Sequence, residues 1–319
     1  MPAILIIKTS SLGDVIHNLP IVRDIHARVP DARLDWLVEQ AYADIPALHP
    51  GVRRVIPVAL RRWRRAPWRP ATWSATRTFL RTLRSERYDL VLDSQGLLKS
   101  AVLGACARGP VAGQDRDSVR ERIATVFYQR HYPVARGQHA VTRNRALAAL
   151  ACGYAVPADA PDYGIAPAPS SPTTDRYAVL LHATSRASKR WPDDHWVAIG
   201  EELRRLGFAA WLPSGTDAER AHAQRLAARI PRARTLEPLT LRTLAGIIAG
   251  ATLVIGVDTG LVHLAGALGR PTIALYTDSD PTLTGVLPAD PARAINLGGR
   301  GRTPTPDDVR AAMQRLGVR

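Results

Sequence analysis

The stretch Ala3-Ile-Leu-Ile-Ile7, followed at once by Lys8-Thr-Ser-Ser-Leu-Gly-Asp14, decides the fold. An unbroken apolar run bounded by a polar loop reads as a strand buried on both faces, and residues 15–27 read as helical. Strand, loop and helix together make one unit of a parallel α/β sheet. The alternation recurs through the first half, with strand-like runs at 34–38, 55–58 and 88–92. Helix-like segments lie at 72–83, 96–105, 119–128 and 140–151. Between Val156 and Thr174 the five prolines 157, 161, 167, 169 and 172 punctuate a stretch of Ala, Ser and Asp that cannot pack a core. After it the pattern restarts, with strands at 177–181, 208–212, 252–257 and 272–276. Helices follow at 194–206, 217–228, 241–249 and 261–268, and residues 307–316 read as a terminal helix able to pack on either domain.

The predicted organisation is therefore a first α/β domain over 1–156, a linker over 157–174, a second α/β domain over 175–303 and a final helix over 304–319. A chain of 319 residues comfortably holds two such domains. Ligands of open parallel sheets bind beyond the strand C-termini, so the expected site is a cleft between the domains.

Composition narrows the class. No apolar run approaches the ~20 residues needed to cross a bilayer. The N-terminus lacks the basic region and small-residue cleavage site of a secretory signal, so a cytoplasmic protein is expected. Cys106 and Cys152 are the only cysteines, which disfavours a disulfide scaffold or a thiolate metal site. The net charge of +15 calls for an anionic partner or a very basic solvated surface. Its distribution is local: between Arg53 and Arg87 eleven arginines face one acid, Glu86, with Trp63, Trp68 and Trp73 interleaved. Arginine beside tryptophan suits a phosphate-rich interface with an apolar border, such as an anionic membrane surface. Plain solvated arginines remain the simpler alternative, and nucleic acid is the rival partner. Only three of the 43 basic residues are lysine, namely Lys8, Lys99 and Lys189. All three fall in the loops described next, where a compact ammonium serves an oxygen-rich ligand better than a planar fork.

Four polar segments follow strands. In the first, Lys8 to Asp14, a single glycine argues against a dinucleotide fingerprint or a phosphate-binding loop of the lysine type. Asp14 is there a candidate general base or an ordinary helix cap, and both roles are compatible. The second is Asp93-Ser-Gln95-Gly96-Leu-Leu-Lys99-Ser100, where a capping turn is the favoured explanation although Asp93 and Gln95 are expected to point into the cleft. In the third, His182-Ala-Thr184-Ser185-Arg186-Ala-Ser188-Lys189-Arg190-Trp191-Pro192, hydroxyls and cations crowd a loop suited to a diphosphate. The fourth, Asp258-Thr259-Gly260-Leu-Val-His263, opens a helix whose N-terminus could approach phosphate oxygens, with His263 taken alone better explained as a packed core histidine. Asp278-Ser-Asp280 has the form of a metal-binding pair but also of an ordinary turn, and no metal is assigned to it.

In this order and spacing the four segments resemble the bacterial lipopolysaccharide heptosyltransferases of glycosyltransferase family 9, over nearly the whole chain. The most specific matches are Ser11-Leu-Gly-Asp14, Gln95-Gly-Leu-Leu-Lys99-Ser-Ala, His182-Ala-Thr-Ser with Lys189-Arg-Trp-Pro192, and Asp258-Thr-Gly-Leu-Val-His263-Leu-Ala. The resemblance implies a GT-B fold, two doubly wound Rossmann-like domains facing a central cleft. It implies an inverting transfer of L-glycero-D-manno-heptose from ADP-heptose to the 3-deoxy-D-manno-oct-2-ulosonic acid (Kdo) of Kdo2-lipid A. Asp14 is then the catalytic base. Thr184, Ser185, Lys189, Asp258, Thr259, Gly260 and His263 surround the donor diphosphate and heptose, Glu219 meets the ribose hydroxyls and Leu239 the adenine. Ser10, Gly13, Arg61, Arg62, Arg64, Arg65, Gln95, Lys99 and Arg120 form the acceptor set. No cofactor or divalent metal is implied, and the expected location is the cytoplasmic face of the inner membrane, held peripherally.

Two stretches depart from the family pattern. Residues 61–70 read as a variable loop, and Tyr276-Thr-Asp-Ser-Asp-Pro281 lacks the expected Gly-Pro-Thr-Asp-Pro form, leaving Asp280 as its one carry-over. The alternatives are heptosyltransferase II or another nucleotide-sugar transferase on the same scaffold. From another class, a basic nucleic-acid-binding protein lacks the reading helix or aromatic strand platform it would need.

Overall fold

Residues 3–7 form the predicted strand, buried along its whole length. In the computed structural model, which describes residues 1–170, 175–184 and 186–319, the chain folds as two units, Met1–Gly164 and Ile165–Arg319.

The first unit runs β1 (Ala3–Ile7), α1 (Leu12–Ile16), α2 (Pro20–Arg28), β2 (Arg33–Glu39), β3 (Val52–Val58), α3 (Leu60–Arg65), α4 (Pro70–Leu83), β4 (Leu90–Asp93), α5 (Leu98–Cys106), β5 (Val111–Gln114), β6 (Arg130–Tyr132) and α6 (Ala140–Cys152). Its six strands are all parallel, in the order β3-β2-β1-β4-β5-β6. The second unit runs β7 (Tyr177–Leu181), α7 (Asp193–Arg205), β8 (Ala209–Leu212), α8 (Asp217–Ala227), β9 (Ala233–Thr235), α9 (Leu241–Gly250), β10 (Leu253–Val257), α10 (Gly260–Ala267), β11 (Thr272–Tyr276), α11 (Pro281–Thr284), β12 (Ala294–Gly298) and α12 (Pro306–Arg315). It forms a second parallel sheet of six, ordered β12-β11-β10-β7-β8-β9.

In each sheet the winding reverses once, between β1 and β4 in the first unit and between β7 and β10 in the second. A reversal sends neighbouring connections to opposite faces and leaves a crevice beyond the two strand ends. The four polar segments follow these four strands, so topology gathers them in pairs, one pair per unit.

Several expectations need correction. Residues 15–27 are not one helix: the chain breaks after Ile16 and restarts at Pro20, which can open a helix but not continue one. Residues 119–128 hold only a short 3-10 stretch, Arg122–Phe127. The supposed loop at 61–70 is helical through Arg65, anchored by Trp63 edge-on to Phe79 at 5.5 Å. The terminal helix α12 buries Val309, Ala312 and Met313 in the core of the second unit.

Part of the basic tract is structural. Asp35, on β2 and fully buried, accepts bonds from Arg53, Arg54 and the Tyr88 hydroxyl, while Glu86 pairs with Arg53 and Arg33. Burial and the Asp35 bond push the Tyr88 hydroxyl well above its ordinary pKa. These arginines are thereby removed from the free basic surface that the sequence suggested.

Candidate active site

In the first unit the loop after β1 is held from three sides. Gln95 accepts from the backbone N–H groups of Thr9 and Ser10 at 3.0 and 3.1 Å. Lys8, itself buried, donates to the Ser94 carbonyl at 2.6 Å and to Asn144. Burial pulls its pKa down, against the opposing charges of Asp14 and Asp93. Lys99 donates to the Ser10 hydroxyl at 2.8 Å. Asp14 sits in the first turn of α1 and reaches back with Oδ2 to the Ser11 N–H at 2.7 Å and the Ser11 hydroxyl at 3.1 Å. Ser11, and not Asp14, is therefore the cap residue, with Asp14 its reciprocal partner.

Asp93 does not point into open space. It is fully buried, takes the N–H groups of Gln95 and Gly96 on one oxygen and the hydroxyls of Ser100 and Tyr128 on the other. Gly96 turns the chain at φ +68°, where a Cβ would come within 3.0 Å of Val119. Gln95 is likewise buried, its carbonyl oxygen turned onto the β1 loop. Both thus build the crevice wall.

The cations gather unevenly. Lys99 has its pKa lowered by partial burial and then by Arg61, with Glu39 and Asp14 opposing. Arg61 lies over the Tyr42 ring at 5.5 Å. Arg62, Arg64, Arg65 and Arg120 are exposed, and Gly13 is half-buried in the first turn of α1. Glu39, a buried carboxylate at the C-terminal end of β2 that accepts the Arg61 backbone N–H at 3.4 Å, was not singled out from sequence. Its place at a strand end was the available signal.

In the second unit Asp258, after β10, is the hub. It accepts from Lys189 and from the Ser279 hydroxyl, with His263 Nε2 at 3.7 Å, and its backbone carbonyl accepts from Thr184 at 3.3 Å. Burial would raise its pKa, but the bonds from His263, Lys189 and Ser279 prevail and hold it well below the usual carboxylate range. Thr259 caps α10 and Gly260 is its first residue. The Asp278-Ser-Asp280 turn is tied in as well: Asp278 accepts from Ser188 at 2.6 Å, and Asp280 caps α11. Ser185 lies outside the described residues.

Beside this hub is a pocket of about 420 Å³ lined by His182, Thr184, Arg190, Asp193, Glu219 and His222. Glu219 uses Oε2 to close the capping box of α8, bonding the N–H groups of Gly215 and Thr216 at 2.7 and 3.1 Å. His222 bridges His182 at 3.1 Å and Asp193 at 2.8 Å. Burial, then the neighbouring His222, push the His182 imidazole down to about 4. Leu239 is exposed in the loop before α9. His222 and Asp193 were not singled out from sequence, since their partners lie 29 and 40 residues apart along the chain.

Two parallel sheets of six strands, each with hydroxyl, carboxylate and ammonium groups gathered at its reversal point, make a doubly wound α/β protein equipped to bind ligands beyond its strand ends. The model of "Glycosyltransferase family 9 (heptosyltransferase)" matches residues 76–312. The chain is 47% identical to lipopolysaccharide heptosyltransferase 1 of Pseudomonas aeruginosa, over 88% of this chain and 80% of that protein. The structure of the Escherichia coli heptosyltransferase WaaC with ADP superimposes with a TM-score of 0.92 at 38% identity, covering 98% of this chain and 99% of that one. The same enzyme has been solved with ADP-2-deoxy-2-fluoro heptose, with a TM-score of 0.87 over the same shares of both chains. Lipopolysaccharide heptosyltransferase 2 of Escherichia coli is 25% identical, over 92% of this chain and 88% of that protein. The chain belongs to glycosyltransferase family 9, the heptosyltransferases.

Proposed function

We propose that this protein transfers L-glycero-D-manno-heptose from ADP-heptose to Kdo of Kdo2-lipid A, with inversion, while held peripherally at the cytoplasmic face of the inner membrane. Identity to a heptosyltransferase 1 far exceeds identity to a heptosyltransferase 2, which favours the Kdo acceptor. The observation that carries the chemistry is the anchoring of Asp14 through a single carboxylate oxygen. An anchored carboxylate keeps one oxygen in fixed orientation for an acceptor hydroxyl, as a general base requires.

In this scheme Asp14 takes the proton of the acceptor hydroxyl as its oxygen attacks the anomeric carbon of heptose and ADP departs. Lys99, Arg61, Arg62, Arg64, Arg65 and Arg120, with Ser10 and Gly13, receive the acidic acceptor. Lys189 and the N-terminus of α10, with Thr184, Thr259, Gly260 and His263, take up charge on the departing diphosphate. Asp258 orients Lys189, Glu219 meets the ribose and Leu239 the adenine. Protein cations carry the leaving-group charge, so no divalent metal is needed. The deciding experiment is mass spectrometry of products from a purified Kdo-bearing acceptor with ADP-heptose, with UDP- and GDP-sugars as controls, run with and without EDTA. Heptosylated product from ADP-heptose alone, formed equally in EDTA, is expected. Transfer from another nucleotide sugar, or loss of turnover in EDTA, overturns the scheme.

A further inference from the structure

The basic tract divides once its residues are placed. Arg53 and Arg54 belong to the Asp35 network, and Arg61 lies near Lys99. A third set faces outward along α4, where Trp68, Pro70, Trp73, Arg77, Thr78 and Arg81 line an open groove of about 630 Å³. Trp73, Arg77 and Arg81 follow one another at helical steps of four and share a face. The opposite face carries Phe79 and Leu83, which are buried in the core of the unit. Trp68 is 76% and Trp73 61% exposed, whereas Trp36, Trp191, Trp196 and Trp211 are buried. The tract's one acid, Glu86, is paired with Arg33 and Arg53. Among the described residues no carboxylate pairs with Arg77 or Arg81, so the face carries uncompensated positive charge beside two indoles.

We propose that this outer face of α4 docks on an anionic phospholipid bilayer, with Trp68 and Trp73 in the interfacial zone and Arg77 and Arg81 on headgroup phosphates. Indoles partition to the headgroup level because one edge is polar and the body apolar. Arginine at one helical turn's distance brings its charge to the same plane, with its stem along the apolar surface. Complementarity of charge selects an acidic over a zwitterionic surface. A nucleic-acid groove would need a run of cations tracking a phosphodiester backbone, and this face offers two, bracketed by indoles. The docking rests on the proposed membrane-bound acceptor, and it assigns the contact to residues apart from the acceptor arginines of α3.

The test is co-sedimentation with phosphatidylglycerol-containing vesicles and with pure phosphatidylcholine vesicles, for the full chain, an R77Q/R81Q variant and a W68S/W73S variant. Each arginine near an acidic bilayer contributes roughly fivefold, so the arginine pair should lose on the order of 25-fold in affinity for acidic vesicles at low salt. The tryptophan pair should lose the binding that persists at high salt, together with the blue shift of indole emission on vesicle addition. Turnover on a deacylated, water-soluble acceptor should be unchanged in both, which also shows that they fold. Unchanged vesicle affinity in both variants, equal wild-type binding to phosphatidylcholine, or displacement of vesicles by stoichiometric single-stranded nucleic acid would each overturn the proposal. If heptose transfer fails in every arm while vesicle binding keeps its dependence on α4, the enzymatic reading falls and the docking face stands.

Discussion

In the proposed scheme Asp14 serves structure through one oxygen and chemistry through the other, and substitutions at this residue separate the two. Asp14→Asn keeps an oxygen to accept the Ser11 N–H, so the fold and ADP affinity should be retained while turnover falls about a hundredfold or more, as loss of a general base costs. Stopped-assay rates beside calorimetric ADP titration check it, and near-normal turnover would leave Asp14 only as the reciprocal partner of the Ser11 cap. Lys189 poses the converse problem, because its ammonium neutralises Asp258 in a largely buried pair. Lys189→Met should weaken ADP binding and lower the melting temperature, since a buried carboxylate loses a partner. Adding Asp258→Asn should restore the melting temperature but not the ADP affinity. Recovery of both would mean that Lys189 only balances charge. The scarcity of lysine in the sequence singled out this position, Lys8 and Lys99 for an oxygen-rich ligand, whereas the oxygens they meet in the structure are the protein's own, on Asp258, Ser94 and Ser10. The His222–Asp193 link was illegible because such contacts are made only when α7 and α8 pack side by side.

At the scale of elements, sequence periodicity located the long buried strands and amphipathic helices and missed what lacks a period. β5, β6, β9 and β12 are three to five residues each and carry Gly, Arg or His, so no alternation could mark them. Helix α3 is Leu-Arg-Arg-Trp-Arg-Arg, a segment with too few apolar positions to show a helical stripe, and it folds because Trp63 docks on Phe79 of α4. The neighbouring strand pair depends on Asp35. Its carboxylate is wholly buried while Arg53 keeps partial solvent access, so Asp35→Ala removes the group that satisfies two guanidinium groups and a buried tyrosine. A loss of about 3 kcal/mol in unfolding free energy is expected. Chemical denaturation should report it, with turnover per folded molecule maintained. A change within 0.5 kcal/mol, ordinary for a surface site, would contradict the burial argument.

For the whole molecule, each unit carries a buried histidine held neutral. Burial, then Arg23 and His26, lower His49 to about 4, and burial, then His222, do the same for His182. The unfolded chain binds protons at these sites from about pH 6.5 downward, whereas the folded chain does not until about pH 4. Their contribution is therefore complete above pH 6.5 and is lost as the pH falls toward 4, by about 3 kcal/mol per histidine. Melting temperature against pH should fall across that window. His182→Phe should flatten the fall for the second unit, and an unchanged slope would contradict the assignment.

The burial of α12 in the second core has a consequence for synthesis on the ribosome. The first unit has all six strands and its covering helices in hand once Gly164 has emerged from the exit tunnel. The second cannot close, because Val309, Ala312, Met313 and Val318 fill its core and the Pro304 carbonyl holds the indole of Trp191, two residues after Lys189. Domains generally fold as units in order of emergence. A nascent chain arrested shortly before residue 304 should therefore yield a protease-resistant fragment of the first unit and fail to bind ADP, and donor recognition should be acquired only as the last helix is released.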